Sequence, residues 1–180
     1  MDRQPTLHDE RVALRPLTEA DRGEVTAIAA DKRVWEQHPI HDRWKPEVFT
    51  PFFDEALEQG GALAAIDRAS GAIAGSSQYR PTPFDPEAIE IGWTFISPAY
   101  WGTGFNPRMK RLMLAHALQS VPRVLLRIGE TNIRSRKAAE AIGATLTDMV
   151  EEGEYQGQPA RHVIYHVTRE GFAKGPLAQL

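Results

Sequence analysis

The residues from Arg11 to Leu17 (RVALRPL) alternate apolar and polar side chains, the period of a strand with one face buried. Thr18 follows as an N-cap with Asp21 three positions on, which predicts a helix running to about Ala30. WEQHPIHDRW is irregular around Pro39, and PEVFTPFFDEAL, Pro46 to Leu57, reads as a second helix opened by Pro46 and stopped by Gly60 and Gly61. ALAAIDR and AIAGSSQYRP flank a turn at Ala69-Ser70-Gly71 and predict a hairpin; IEIGWTFI supplies a further strand. The pattern then becomes helix (Pro107 to about Ser120), strand (VLLRIGE), helix (Asn132 to Ile142, closed by Gly143) and two strands hinged near Gln156-Gly157. An antiparallel start followed by a β-α-β-α-β half predicts an α/β (α+β) fold: a mixed sheet of about seven strands with about four helices, in one domain spanning residues 1–180.

Composition narrows the chemistry. Apolar residues at 42% and charged residues at 25% are those of a globular chain. Lys plus Arg number 21 against 24 Asp plus Glu, a net charge of −3, which gives no overall reason to expect nucleic acid as partner. The chain has no cysteine, so thiolate metal sites, disulfides and a Cys nucleophile are excluded. The start, MDRQPTLHDERV, has no apolar signal core, and no segment reaches the roughly 20 apolar residues of a membrane helix. A cytoplasmic protein is the expectation.

The segment SPAYWGTGFNPRMKR, Ser97 to Arg111, places Gly102 and Gly104 one residue apart, then Asn106 and Pro107, favoured N-cap and first-turn residues. Glycines let a ligand approach the backbone without a Cβ in the way, and free amides at a helix start bind anions, phosphates above all. Arg108, Lys110 and Arg111 oppose the helix dipole by about 0.3 kcal/mol or more each unless an anion is present; the alternative is that they are solvated. Neither the P-loop nor the dinucleotide fingerprint fits, since Gly-Lys-Ser/Thr is missing and Pro107 stands where a third small residue belongs.

EIGWTFISPAYWGTG (Glu90 to Gly104), ETNIRSRKAAEAIGA (Glu130 to Ala144) and the element order resemble the Gcn5-related N-acetyltransferases, specifically the branch that acetylates ribosomal-protein N-termini. In the family's Arg/Gln-x-x-Gly-x-Gly/Ala loop, Trp101 fills the first position and Gly104 the fourth, while Asn106 replaces the final small residue. The resemblance implies acetyl-coenzyme A as donor and a mostly antiparallel, splayed sheet. It implies that the amides of Gly102, Thr103, Gly104, Phe105 and Asn106 hold the pyrophosphate. The pantetheine arm would then pair like a strand with Phe95 and Ile96, a form of β-augmentation. It also places Asn132 beside the coenzyme arm and Ser135 within reach of its sulfur, as acid or as hydrogen-bond donor; Lys137 and Arg108 are candidates to pair with the 3′-phosphate, solvent exposure being the alternative.

Acetyl transfer to an amine requires a neutral nucleophile and protonation of the departing thiolate. A lysine with pKa near 10.4 costs about 4–5 kcal/mol to deprotonate at neutral pH, and an α-amine near 8 only about 1. By the resemblance Glu90, two residues before Gly92, is the general base, with Glu130 second; a solvated or Arg-paired carboxylate is the other reading of Glu90. His162 and His166 are spaced like a helical zinc pair, but HVIYHV alternates as a strand in which four residues span roughly 13 Å, so no metal is expected. His38 and His41 flank Pro39 in a loop that family analogy hangs over the acceptor, and Trp35, Trp44, Trp93 and Tyr79 are candidates to line that pocket. The expected function is acetyl transfer to a primary amine, a protein N-terminus or a small amine, with no nucleic-acid or membrane partner and a homodimer left open. The rivals are a non-catalytic coenzyme-binding or regulatory domain and an unrelated α/β phosphate-binding module.

Overall fold

The ALAAIDR strand is apolar on consecutive positions rather than alternate ones, and the computed structural model, which describes residues 1–180, shows why: helices cover both faces of the sheet. The strands are β1 (Leu7–His8), β2 (Val12–Pro16), β3 (Ala62–Asp67), β4 (Ile73–Pro81), β5 (Ile89–Ile96), β6 (Arg123–Gly129), β7 (Thr145–Tyr155) and β8 (Gln158–Thr168). They form one eight-stranded sheet in the order β1-β2-β3-β4-β5-β6-β8-β7. Every neighbouring pair is antiparallel except β5 with β6.

Helices α1 (Arg22–Ala29) and α2 (Pro46–Gln59) cover one face, where Val25, Trp35, Phe49 and Phe53 pack on Ala62, Ala64 and Phe95. Helix α3 (Phe105–Ala117) and the end of α4 (Ile133–Ala141) cover the other, where Met109, Met113 and Ala139 meet Leu63, Tyr79, Ile91 and Leu126. A short α5 (Arg169–Lys174) completes five helices. The two-residue β1 and α5 exceed the expected seven strands and four helices; both are too short to carry a periodic signal. No helix is long and apolar enough to cross a membrane.

Several local readings hold. Asn132 caps α4, its Oδ1 accepting from the Ser135 amide at 3.1 Å, and Gly143 leaves that helix at φ 88°. Gln156 and Gly157, both at positive φ, form the tight turn between β7 and β8. One boundary is corrected: α3 begins at Phe105 with Gly104 as its N-cap, so Asn106 is not the cap and Pro107 not the first helical residue. Proline is tolerated at that third position because the N–H it lacks would have had no partner inside the helix.

Two irregularities open the middle of the sheet. β5 and β6 pair only at Ile89–Val124 and Glu90–Leu125, after which the strands separate. On the other edge of β5 a bulge places Trp93 and Thr94 opposite Ser77, since Gln78 still faces Gly92 and Ser76 already faces Phe95. Trp93 sits at φ 52°, a conformation that costs a bulky residue roughly 1–3 kcal/mol. Its ring is held by the Arg80 guanidinium at 4.2 Å from the centroid and by Arg127 at 5.4 Å.

Candidate active site

A cleft of about 560 Å³ occupies the gap where β5 and β6 part, floored by both strands and walled by α3 and α4. Of the residues singled out for the coenzyme, Phe95, Ile96, Trp101, Gly102, Gly104, Asn106, Asn132 and Ser135 line it. Gly102 (φ 72°) and Gly104 (φ 82°) require the left-handed conformation, and no atom lies within 4 Å of where a Cβ would stand on either, so the loop backbone faces open space. The Oδ1 of Asn106 is buried without a hydrogen-bond partner. An orphaned acceptor beside exposed amides is the mark of a surface shaped for a polar ligand. Trp101 is pinned at the mouth: its indole donates to the Ile96 carbonyl at 3.0 Å, and Arg134 lies 4.2 Å over its ring while donating to the carbonyls of Arg33 and Val34.

Other expected residues stand elsewhere. Phe105 is buried in the core and Thr103 faces a separate surface pocket, so only their backbones adjoin the loop. Arg108 is paired with Asp9 at 3.2 Å and Glu10 at 3.0 Å and does not line the cleft, and Lys137 is exposed outside it. Glu90 is buried at the closed end of the gap, where the ladder is still intact, and it is not among the lining residues. Its Oε1 accepts from Arg127 Nε at 3.0 Å; burial raises its pKa, against the opposing pull of Arg127. Glu130 is paired with Arg161 at 2.6 Å.

Arg127 links Glu90 to the cleft. Its Nη1 donates to both Glu151 oxygens at 2.8 Å, and Glu151 in turn stands 3.4 Å from Nδ1 of His162, which lines the cleft. Burial holds the His162 pKa below its usual 6.5, Arg127 adding to this and Glu151 opposing it, so the ring is neutral near pH 7 and able to accept a proton. His38, also in the lining, is pushed down to about 3 by burial and by Arg43 and His162; its Nδ1 accepts from the Ile40 amide. Trp35 and Trp93 line the cleft, Tyr79 is locked in the core with its hydroxyl on the Met113 carbonyl, Trp44 lies outside under Lys32, and His41 is exposed.

Two further cations line the cleft: Lys110, which the sequence offers only as one of three cations at the start of α3, and Arg43, which it does not mark at all. Lys110 is buried in the lining with no carboxylate partner, donating to Ser77 Oγ at 3.1 Å and Thr94 Oγ1 at 2.7 Å across the β5 bulge; burial lowers its pKa to about 7. Its spacing was the available signal: it lies one turn from Asn106 and one turn before Met113 and Leu114, on the inward face of α3. Arg43, in the loop between α1 and α2, is 7% exposed and makes no hydrogen bond or ion pair; nothing in HPIHDRW marks it as buried.

The matched family accords with this geometry. A family model described as an acetyltransferase (GNAT) domain matches residues 11–145. The fold is similar to that of a GCN5-related N-acetyltransferase from Brucella melitensis, at 20% identity and TM-score 0.81, over 98% of this chain and 83% of that one. It is similar to spermidine N-acetyltransferase from Vibrio cholerae, solved with CoA and spermine, at 13% identity and TM-score 0.70, over 92% of this chain and 100% of that one. RimJ from Mycobacterium smegmatis, solved with CoA-disulfide, matches at 16% identity and TM-score 0.71, over 98% of this chain and 93% of that one. With the parted strands, the open glycine loop and a family match running from β2 to the start of β7, the chain belongs to the Gcn5-related N-acetyltransferases, enzymes that move acetyl from acetyl-coenzyme A to an amine.

Proposed function

We propose that this chain transfers acetyl from acetyl-coenzyme A directly onto a primary amine, within the branch that includes the ribosomal-protein N-terminal acetyltransferases. The observation that carries this reading is the gap between β5 and β6 opening beside the unobstructed Gly102–Asn106 loop at the start of α3. The residues present fit the coenzyme: a helix N-terminus with the loop amides for a diphosphate (the Thr103 amide alone is taken, by the Tyr100 carbonyl), an unpartnered Asn106 Oδ1 able to accept from an amide or hydroxyl of the arm, and no carboxylate in the lining. When bound, the thioester supplies the acetyl group.

The chain's own residues do the rest. The new N–C bond forms as the thioester C–S bond breaks, and the proton lost by the amine must leave while the thiolate gains one. His162, neutral and oriented by Glu151, takes the amine proton; Glu90 serves that chain by holding Arg127 at the other end of Glu151. Ser135, on the first turn of α4 and facing the cleft, donates toward the sulfur. Incubation of the purified chain with acetyl-coenzyme A and a panel of amines, read by thiol release, tests the reading. Acceptor-dependent release supports it, and coenzyme binding without release above hydrolysis replaces it with a coenzyme-binding domain.

A further inference from the structure

Six basic side chains line the cleft, His38, Arg43, Lys110, Arg127, Arg134 and His162, and no Asp or Glu does. Four of them are hydrogen-bonded inside the protein: Arg127 to Glu90 and Glu151, Arg134 to two backbone carbonyls, Lys110 to two hydroxyls, and His38 to an amide; a fifth, His162, stands 3.4 Å from Glu151. Arg43 is the exception. Its guanidinium lies 4.3 Å from the Phe52 ring centroid and 5.2 Å from that of Trp35, its Nε is buried without a partner, and no carboxylate pairs with it.

The acids that would be its natural partners are engaged elsewhere. Asp42 accepts from the Tyr155 hydroxyl at 2.6 Å and from Gln156 Nε2 at 3.0 Å, which ties the tip of the β7–β8 hairpin to this loop. Glu55 is taken by Arg80 at 2.6 Å. Burying an unpaired guanidinium is costly, and burial here lowers the Arg43 pKa to about 10. A fork of donors held on two aromatic faces is shaped for a planar carboxylate, which would pair with it in two parallel bonds. Arg43 packs with Trp35 and Phe52 on the α1–α2 face of the sheet, opposite the α3 loop proposed for the diphosphate, so the vacant partner belongs to the acceptor.

Building on the acetyltransferase reading, we propose that the acceptor amine carries a carboxylate, as an amino acid does, and that Arg43 is the side chain that binds it. A polyamine is the wrong charge for this lining, and a cleft with no acid has nothing to hold a second ammonium group.

The test is a panel of free amino acids, their C-terminal amides, spermidine, and peptides beginning with Asp or Glu beside matched Asn or Gln peptides. Each is assayed by thiol release, and coenzyme A binding is measured separately by calorimetry. Acids used at least 100-fold better in kcat/KM than their amides, with the preference falling toward unity in Arg43→Met and partly kept in Arg43→Lys, support the proposal. The free and peptide arms tell which source supplies the carboxylate. Arg43→Met removes an unpaired buried charge, so its melting temperature, measured alongside, should not fall. Amides or spermidine used as well as acids, or an acid preference intact in Arg43→Met, overturn the proposal. Coenzyme binding with no acid accepted overturns it and leaves acetyl-coenzyme A as the ligand, whereas no coenzyme binding removes both.

Discussion

The two sides of the cleft are built differently. The side proposed for the coenzyme comes from one stretch, Phe95 to Ser135, and offers mainly backbone: the open loop, the start of α3 and the capped start of α4. The side proposed for the acceptor gathers Trp35, His38 and Arg43 from the loop before α2, Arg127 from β6 and His162 from β8, backed by Glu151 and Tyr155 of β7, and works through side chains. A main-chain site asks only for glycines, caps and a strand break, which many sequences satisfy. A side-chain site depends on individual residues meeting across the fold. On the proposed assignment the donor is therefore readable from one half of the molecule, while the acceptor depends on side chains particular to this chain.

The sharpest way to break that division is to remove the base proposed on the acceptor side, His162. We expect His162→Gln to lower kcat by about 100-fold, within the usual range for loss of a general base. Glu90→Gln, which keeps Arg127 on Glu151 and acts only through it, should cost less, about 10-fold or roughly 1.4 kcal/mol of barrier. Because burial holds the His162 pKa below 6.5, the wild-type rate rises as pH climbs through that lower value and the ring loses its proton; the limb vanishes in His162→Gln. A wild-type pH profile in His162→Gln together with a lost limb in Glu90→Gln would return the base to Glu90.

The matching change on the coenzyme side is Gly104→Val. Nothing within 4 Å obstructs the new Cβ, so the fold accommodates it, but φ 82° forces a β-branched residue into the left-handed region at about 1–2 kcal/mol. Reshaping of the loop should weaken coenzyme A binding by roughly 10-fold in calorimetry. Affinity equal to wild type in a folded variant would take the loop out of the site.

What the residues disclosed before folding follows the same line. The strands of the hairpin, the β-α-β-α-β half, the Asn132 cap and the Gly143 stop are local patterns, and each stands where spacing put it. The sequence signal puts the start of α3 two residues late, because Asn106-Pro107 is a strong capping pair overruled by Gly104, the one residue there that readily takes φ 82°. Arg108 looks free for a phosphate in the sequence because its partners, Asp9 and Glu10, lie about a hundred positions away, beyond any local rule. Arg43 was invisible for the complementary reason: its significance is the partner it lacks, and that needs coordinates.

Lys110 crosses the division, a charged side chain inside the backbone-built half, and its titration gives the smallest effect. Its folded pKa of about 7 lies below the unfolded 10.5, so between those values the unfolded chain binds more protons and stability rises with pH; below about 7 the full penalty of charging the buried amine applies. Lys110→Met removes that penalty, and Ser77 and Thr94 remain bonded to each other at 2.8 Å, leaving no orphaned hydroxyl. We expect the variant to be more stable by about 1–2 kcal/mol near pH 6, a rise of roughly 2–8 °C in melting temperature, shrinking to nothing by about pH 10. Urea unfolding at three pH values across that window measures it. An advantage that stays constant with pH would mean the amine keeps one protonation state throughout, and the cleft would then be wetter beneath α3 than its packing implies.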